Sequence, residues 1–483
     1  MTPPKAALPW TKREMYENKN RTFTKPISDR QGLADSPDAM FRSVDEVAKR
    51  LKPEAPVQCI FPEPIRSQAT KFLTQFPGKV LYAVKCNPGE EFLRHMHAAG
   101  IRQFDVASME EVRLVKGLFP KSAELHFMHP VKTREAIRQA YKLGVRTFAL
   151  DSAGELMKIL EETKAAKDLT LMVRMAVSGN TAAYDLSGKF GAAPATSAEL
   201  LRHARKVAHK IGVCFHVGSQ CMEPAAYKAA LVRAADVISR AKVRVDIIDV
   251  GGGFPAVYPG MTPPPLEDYM TAIKEAAEPL IGNIGVAAEA ELWCEPGRAM
   301  VAAGGAMLAR VSLRKGRRLY INDGTYGSLF DAGALGWRFP VRLVRPLSRA
   351  GKNSSAPNTR TPSEKLVPFS FYGPTCDSLD KMKGPFLLPE DTQEGDWIEI
   401  GMLGSYGSTM QTRFNGFHSS QIATVWPEAM QGAGETRQQP SRRRGNLHVV
   451  RSAPVAGEST RPQGSGDTLS ADGNAAGESL NLK

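Results

Sequence analysis

The sequence has no CxxC pair. Its six cysteines (Cys59, Cys86, Cys214, Cys221, Cys294, Cys376) stand singly, which argues against a zinc site and against a disulfide framework, so no metal centre is expected. No apolar run approaches the roughly 20 residues that cross a bilayer. The longest, residues 299–309, is far too short, and no membrane partner is expected. The first twenty residues (MTPPKAALPWTKREMYENKN) lack the apolar stretch of a secretory signal; export is not expected, and a reducing cytoplasm suits the unpaired thiols. Acidic residues are outnumbered, 50 against 63 basic, for a net charge of +13. Much of that excess lies between Arg310 and Lys352, where ten basic residues face two acidic ones. Neither interleaved aromatics nor a nucleic-acid-binding motif accompanies it, so it reads as a solvated face and no nucleic-acid partner is expected.

What is present is a chain of 483 residues, 42% hydrophobic and 23% charged, which excludes a disordered or fibrous protein and leaves room for a large core. Eight short β-branched runs recur from Val80 to Arg298: VLYAVKCN, QFDVAS, ELHFMHP, RTFALDS, LTLMVRMA, VCFHVGS, DIIDVGGG and AEAELWCEPGR. Stretches of helical periodicity separate them, among them SMEEVRLVKGLF and SAGELMKILEET. Strand alternating with helix predicts a parallel sheet, and eight units in this length predict an α/β fold with a (β/α)8 barrel over 61–299. From 300 to 430 short alternating strands with turn signals predict a mostly antiparallel β domain. Residues 1–60 are expected to join or cover that domain, an Asn/Ser/Pro/Thr stretch from Gly351 to form a surface loop, and 431–483 to be a disordered tail.

In such a barrel, chemistry gathers at the C-terminal strand ends. Lys85, Asp105, His126, Asp151, Arg174, His216, Gly251–Gly253, Glu295 and Arg298 all lie at or just past a run. A buried lysine loses water and becomes a nucleophile, although a strand-end lysine snorkelling to solvent is an equal reading of Lys85 alone. The glycines leave backbone amides bare for an anion, or make a tight turn; Arg298 adds a cation beside them, and His216 with Ser219 adds a flat ring and a hydroxyl. An amine, an anion cradle, a ring to stack on and a carboxylate together suit pyridoxal 5'-phosphate.

Eight motifs in order, YAVKCN, FDVAS, HVGSQ, DVGGGFP, CEPGR, NDGTYGS, GPTCDSLD and FNGF, carry a resemblance that spans Val57 to Trp426. The chain resembles the fold-type III (alanine racemase-like) pyridoxal-phosphate decarboxylases of ornithine, diaminopimelate and arginine, the ornithine decarboxylases most of all. The resemblance implies decarboxylation of L-ornithine to putrescine and CO2 in polyamine biosynthesis, with L-lysine to cadaverine as a further activity. Position by position, Lys85 matches the lysine that carries the cofactor aldehyde, His216 the stacking histidine and Glu295 the carboxylate at the pyridine nitrogen. Ser219, Gly252, Gly253, Gly297, Arg298 and Tyr406 match phosphate-side positions; Asp105, Glu111 and Arg174 match supporting ones. Cys376 matches the family's proton donor and Asp377 the acceptor of the substrate's distal ammonium. Both come from the partner subunit in the family, which implies a homodimer with shared active sites. Tyr326 and Asp331 are further substrate-side candidates, and Lys189 lies in a segment that matches a mobile loop.

Two departures bear on specificity. Gln220 follows Ser219 where eukaryotic ornithine decarboxylases usually carry glycine. After Ser328 the chain reads LFDAGALGWRFP, which puts Ala334-Leu335-Gly336 where they carry Tyr-Asp-His and leaves Asp331 as the nearby carboxylate. The alternatives are a diaminopimelate or carboxynorspermidine decarboxylase, against which CDSLD with Asp377 favours a cationic tail. An inactive, partner-binding regulator of the same fold is a further alternative, against which stands the presence of Lys85, Arg298, Cys376 and Asp377.

Overall fold

The computed structural model describes residues 40–177, 182–184, 188–345, 361–419 and 421–426. The expected tail, most of the loop from Gly351, and residues 1–39 lie outside these. Eight parallel strands close into a barrel: β1 Lys79–Ala83, β2 Gln103–Val106, β3 Glu124–Phe127, β4 Thr147–Leu150, β5 Thr170–Arg174, β6 Lys210–Cys214, β7 Val245–Asp249 and β8 Val286–Cys294. Each pairs with its successor, and β8 returns to β1 through Trp293–Lys79 and Cys294–Val80. These are the eight runs expected from the sequence. Burial on both faces is why they read as β-branched stretches without polar alternation.

Side-chain alternation divides the barrel's packing into two layers. Leu81, Ala149, Met172, Cys214, Ile247 and Trp293 fill the interior with Met128. The outward residues, among them Tyr82, Phe104, Phe148 and Val213, pack against the surrounding helices. Several of those helices start on a side-chain cap: Ser108 accepts from the Glu111 amide, Thr133 from Ala136 and Ser152 from Glu155. Each cap satisfies an amide that the first turn leaves unpaired, and so sets where the strand-to-helix loop ends.

A second, eight-stranded sheet follows. Its long strand Gly305–Lys315 pairs antiparallel with Trp397–Ile400, Arg318–Ile321 and the early strand Val57–Ile60. Two of its pairs are parallel, Arg318–Ile321 with Leu366–Tyr372 and Val57–Ile60 with Gln421–Thr424, so it is mostly antiparallel, as expected. Val57 and Cys59 share a core with Leu308 and Val344, and Phe369, Phe371 and Phe386 fill another on the same sheet.

Four arginines of the basic stretch from Arg310 meet acids from elsewhere in the chain. Arg310 meets Glu54; Arg317 meets Glu390; Arg342 meets Asp45 and Glu399; buried Arg345 meets Asp391 and Asp396.

Candidate active site

A cavity of about 320 Å³ opens at the C-terminal end of the barrel. Lys85, Arg174, His216, Ser219, Gly252, Gly253, Glu295, Gly297, Arg298 and Tyr406 all line it, with Lys189. Lys85 sits in the helical turn Val84–Cys86 that ends β1. Its Nζ lies 2.8 Å from Oδ2 of Asp105 on β2, a carboxylate almost fully enclosed while the lysine is 41% exposed toward the cavity. Burial alone pushes a lysine pKa down, but here the nearby Asp105 and then Glu295 more than offset it and hold Lys85 above the ordinary range. Glu111 accepts from the Ala107 amide at 2.7 Å, and burial raises its carboxyl to about 7.

His216 follows β6 and takes the Gly218 amide on Nδ1 at 3.0 Å. Burial, with Arg174 and Lys85 nearby, lowers its pKa to about 3, so the ring is neutral. Glu295, just past β8, and Asp249, ending β7, form a buried carboxyl pair. Burial and then Asp249 push Glu295 well above the usual carboxylate range, so the pair retains a proton. Gly253 has φ +105, and a Cβ there would stand 2.4 Å from the Gly218 carbonyl oxygen; only glycine keeps this wall of amides open. Arg298 begins the helical turn Arg298–Val301, and Tyr406 reaches the same cavity from the sheet, its amide donating to the Cys86 carbonyl at 3.0 Å.

Cys376, Asp377 and Tyr326 do not line this cavity. They form a second constellation on the sheet, built from three of the sequence motifs. Tyr326 Oη donates to Asp377, the Cys376 amide donates to Asn415 at 3.2 Å, and the Tyr326 and Phe414 rings lie 5.0 Å apart. Cys376 is exposed. The Leu379 amide and the Tyr326 hydroxyl hold the Asp377 carboxyl below its usual range, keeping it anionic. Asp331 is brought to Arg298, at 3.0 Å, rather than to Asp377.

His126 departs from the strand-end pattern. It is fully buried inside the barrel, bonded to Thr147 Oγ1 at 3.1 Å and Gln103 Oε1 at 2.7 Å, with Trp293 edge-on at 4.7 Å. The residues of that run that reach the cavity are Met128, His129 and Pro130, all past the strand end. Gln220 has φ +58, the backbone that favours the glycine of relatives. Its side chain turns away from the cavity to clamp both the carbonyl and the amide of Ala256. Phe190, Tyr258 and Trp337 also escaped the sequence reading, for no strand-end signal marks them.

These residues fit pyridoxal phosphate. Bare amides and a buried arginine offer an anion site, and Arg298 Nε and Asp105 Oδ1 are buried without partners among the described residues, as atoms awaiting a ligand would be. A barrel whose strand-end lysine, glycine-walled amides and buried arginine share one cavity defines the class, a pyridoxal-phosphate-dependent enzyme of fold type III. Comparison with known proteins agrees. Residues 63–302 match the family described as pyridoxal-dependent decarboxylase, pyridoxal binding domain, and 301–404 match its C-terminal sheet domain. The chain belongs to the pyridoxal-dependent decarboxylases of basic amino acids, and pyridoxal phosphate is its cofactor.

Among its relatives, a lysine/ornithine decarboxylase of Selenomonas ruminantium is 32% identical over 70% of this chain and 81% of the relative. An ornithine decarboxylase of Panagrellus redivivus is 32% identical over 73% and 81%. An antizyme inhibitor of Xenopus laevis is 28% identical over 74% and 78%. The crystal structure of Paramecium bursaria Chlorella virus arginine decarboxylase bound to agmatine superposes with a TM-score of 0.67 at 25% identity, over 79% of this chain and 99% of that one.

Proposed function

We propose that the protein decarboxylates L-ornithine to putrescine and CO2, with L-lysine to cadaverine as a second reaction, in a homodimer that completes each cavity with Cys376 and Asp377 of the other subunit. The observation that carries this reading is the anionic Asp377, preset by Tyr326 beside an exposed thiol. A carboxylate there selects a cationic tail, which ornithine and lysine have. Relatives named for ornithine and for lysine support both substrates. The absence of a carboxylate at Ala334-Leu335-Gly336 supports tolerance of tail length.

Bound pyridoxal phosphate supplies an electron sink for the bond that breaks at the substrate Cα. Each wall of the cavity has a task. Lys85 Nζ would hold the cofactor by its aldehyde, and Asp105 keeps a proton at that nitrogen in the unloaded chain. The neutral face of His216 packs the ring. Glu295, in a carboxyl pair that retains a proton, would share that proton with the pyridine nitrogen. Gly252, Gly253, Ser219, Tyr406 and Arg298 bind the phosphate. Cys376 Sγ delivers a proton to Cα after CO2 departs, and closure by the second subunit excludes water from that step.

Purified protein is to be offered ornithine, lysine, arginine and meso-diaminopimelate separately, with CO2 and diamine measured. Ornithine and lysine turnover is expected; activity on diaminopimelate alone refutes the cationic-tail reading, and silence on all four favours the regulator reading. Mixing inactive Lys85→Ala and Cys376→Ala chains tests the shared site. Random pairing restores about a quarter of wild-type activity if sites are shared, and none if each chain is self-contained.

A further inference from the structure

We propose that Asp331 is a positioning residue for Arg298 at the phosphate end of the cofactor, and that Asp377 reads the substrate's distal ammonium without it. The substrate half of this inference rests on the function proposed above; the cofactor half rests on the family alone.

Arg298 is held at one corner. Its Nη1 meets Asp331 Oδ2 at 3.0 Å, Tyr258 Oη at 3.2 Å and Ser405 Oγ at 3.4 Å. The guanidinium lies against the rings of Trp337 and Tyr406, 4.6 and 4.8 Å from their centroids. A planar fork fixed at one nitrogen and packed between rings has its remaining donors aimed in one direction. Nε is buried without a partner, and the residue as a whole lines the cavity beside Gly252 and Gly253. Asp331 itself does not line that cavity; its side chain is 8% exposed and Arg298 accounts for its charge.

Recruiting Asp331 to a substrate ammonium requires breaking this pair and moving a carboxylate that is 8% exposed. The neighbouring segment offers no substitute. Ala334, Leu335 and Gly336 line a separate groove with Tyr326, Leu379, Lys381 and Lys383, where the described residues supply no carboxylate and two cations that repel an ammonium. The Asp331-to-Trp337 segment therefore folds toward Arg298, which both of its end residues touch.

The test compares apo-protein with Asp331→Asn for binding of pyridoxal 5'-phosphate and of pyridoxal, which lacks the phosphate, by fluorescence titration. Loss of one charge-assisted hydrogen bond is expected to weaken the phosphorylated form about ten-fold. Pyridoxal binding is expected to hold, so the preference for the phosphate falls by the same factor. The ratio of kcat/KM for ornithine over lysine is expected to stay within about two-fold. Trp337→Leu, which removes a packing face and no charge, is expected to lower the phosphate preference in the same sense and covers the case in which Asp331→Asn does not fold. Equal weakening of both ligands, tighter binding of the phosphorylated form, or a changed substrate ratio with intact phosphate preference overturns the proposal. Absence of decarboxylation would refute the proposed function and leave the cofactor comparison to decide this inference.

Discussion

Replacing Asp105 by asparagine isolates what the carboxylate does to Lys85. In the wild-type chain Nζ stands 2.8 Å from Oδ2, and the lysine pKa is held above its ordinary value despite burial. An opposite charge this close shifts a pKa by about 1–3 units. Lys85 is 41% exposed to the cavity, so water screens the pair and the lower end applies, about 1 unit; Glu295 also remains in place. Below the lysine pKa, each unit of fall multiplies the free-amine fraction about ten-fold. The amine must be free to attack the cofactor aldehyde. Apo-protein mixed with pyridoxal phosphate between about pH 6 and 9 reports this step through the visible band of lysine-bound cofactor. The loading profile of Asp105→Asn is expected to move about 1 unit toward lower pH and to be faster near neutrality by about ten-fold. A superimposable profile, or slower loading by the variant at neutral pH, refutes the argument that Asp105 sets the proton affinity of this amine.

Two further predictions concern buried charges. Lys132 and Glu155 are almost fully enclosed, with Nζ 2.9 Å from Oε1 and also donating to the carbonyls of His129 and Ala149. Glu155→Gln removes the counter-ion and is expected to cost about 3 kcal/mol, read as a lowered Tm of the holoenzyme; an unchanged Tm would contradict it. Glu111 has its carboxyl raised to about 7 by burial. The folded chain thus binds this proton more tightly than the unfolded chain, so the stabilisation is complete below the ordinary carboxyl range and is lost as pH rises through about 7. Apo Glu111→Gln is expected to lose that slope, on the order of 2 kcal/mol between about pH 5 and 8 in denaturant titrations. A variant as pH-sensitive as wild type would show that another group carries it.

The barrel was legible because its local signals agree. Eight β-branched runs with helical stretches between them are dictated by burial on both strand faces, and Ser108, Thr133 and Ser152 mark helix starts by side-chain chemistry that acts within four residues. Lys85, His216, the glycines and Glu295 were legible for the same reason, since each lies within a few residues of a strand end. Other features depended on contacts far apart in sequence. His126 and His129 share one run, and only strand parity and barrel closure send the first inside and the second to the cavity. Asp331 sits five residues from Tyr326, yet burial of its charge required the guanidinium of Arg298 on another domain, and Trp337 closed over the same group. The basic stretch from Arg310 reads as a solvated face, and its basic residues are mostly exposed or half-buried; only tertiary packing brings Glu54, Asp45, Glu399 and Asp396 to three of its arginines. Sequence alone determined the barrel, the lysine at its first strand end and the family, because propensity and motif are local. The tertiary structure decided which charges face the cavity and which face one another, because pairing and desolvation are settled only where distant segments pack.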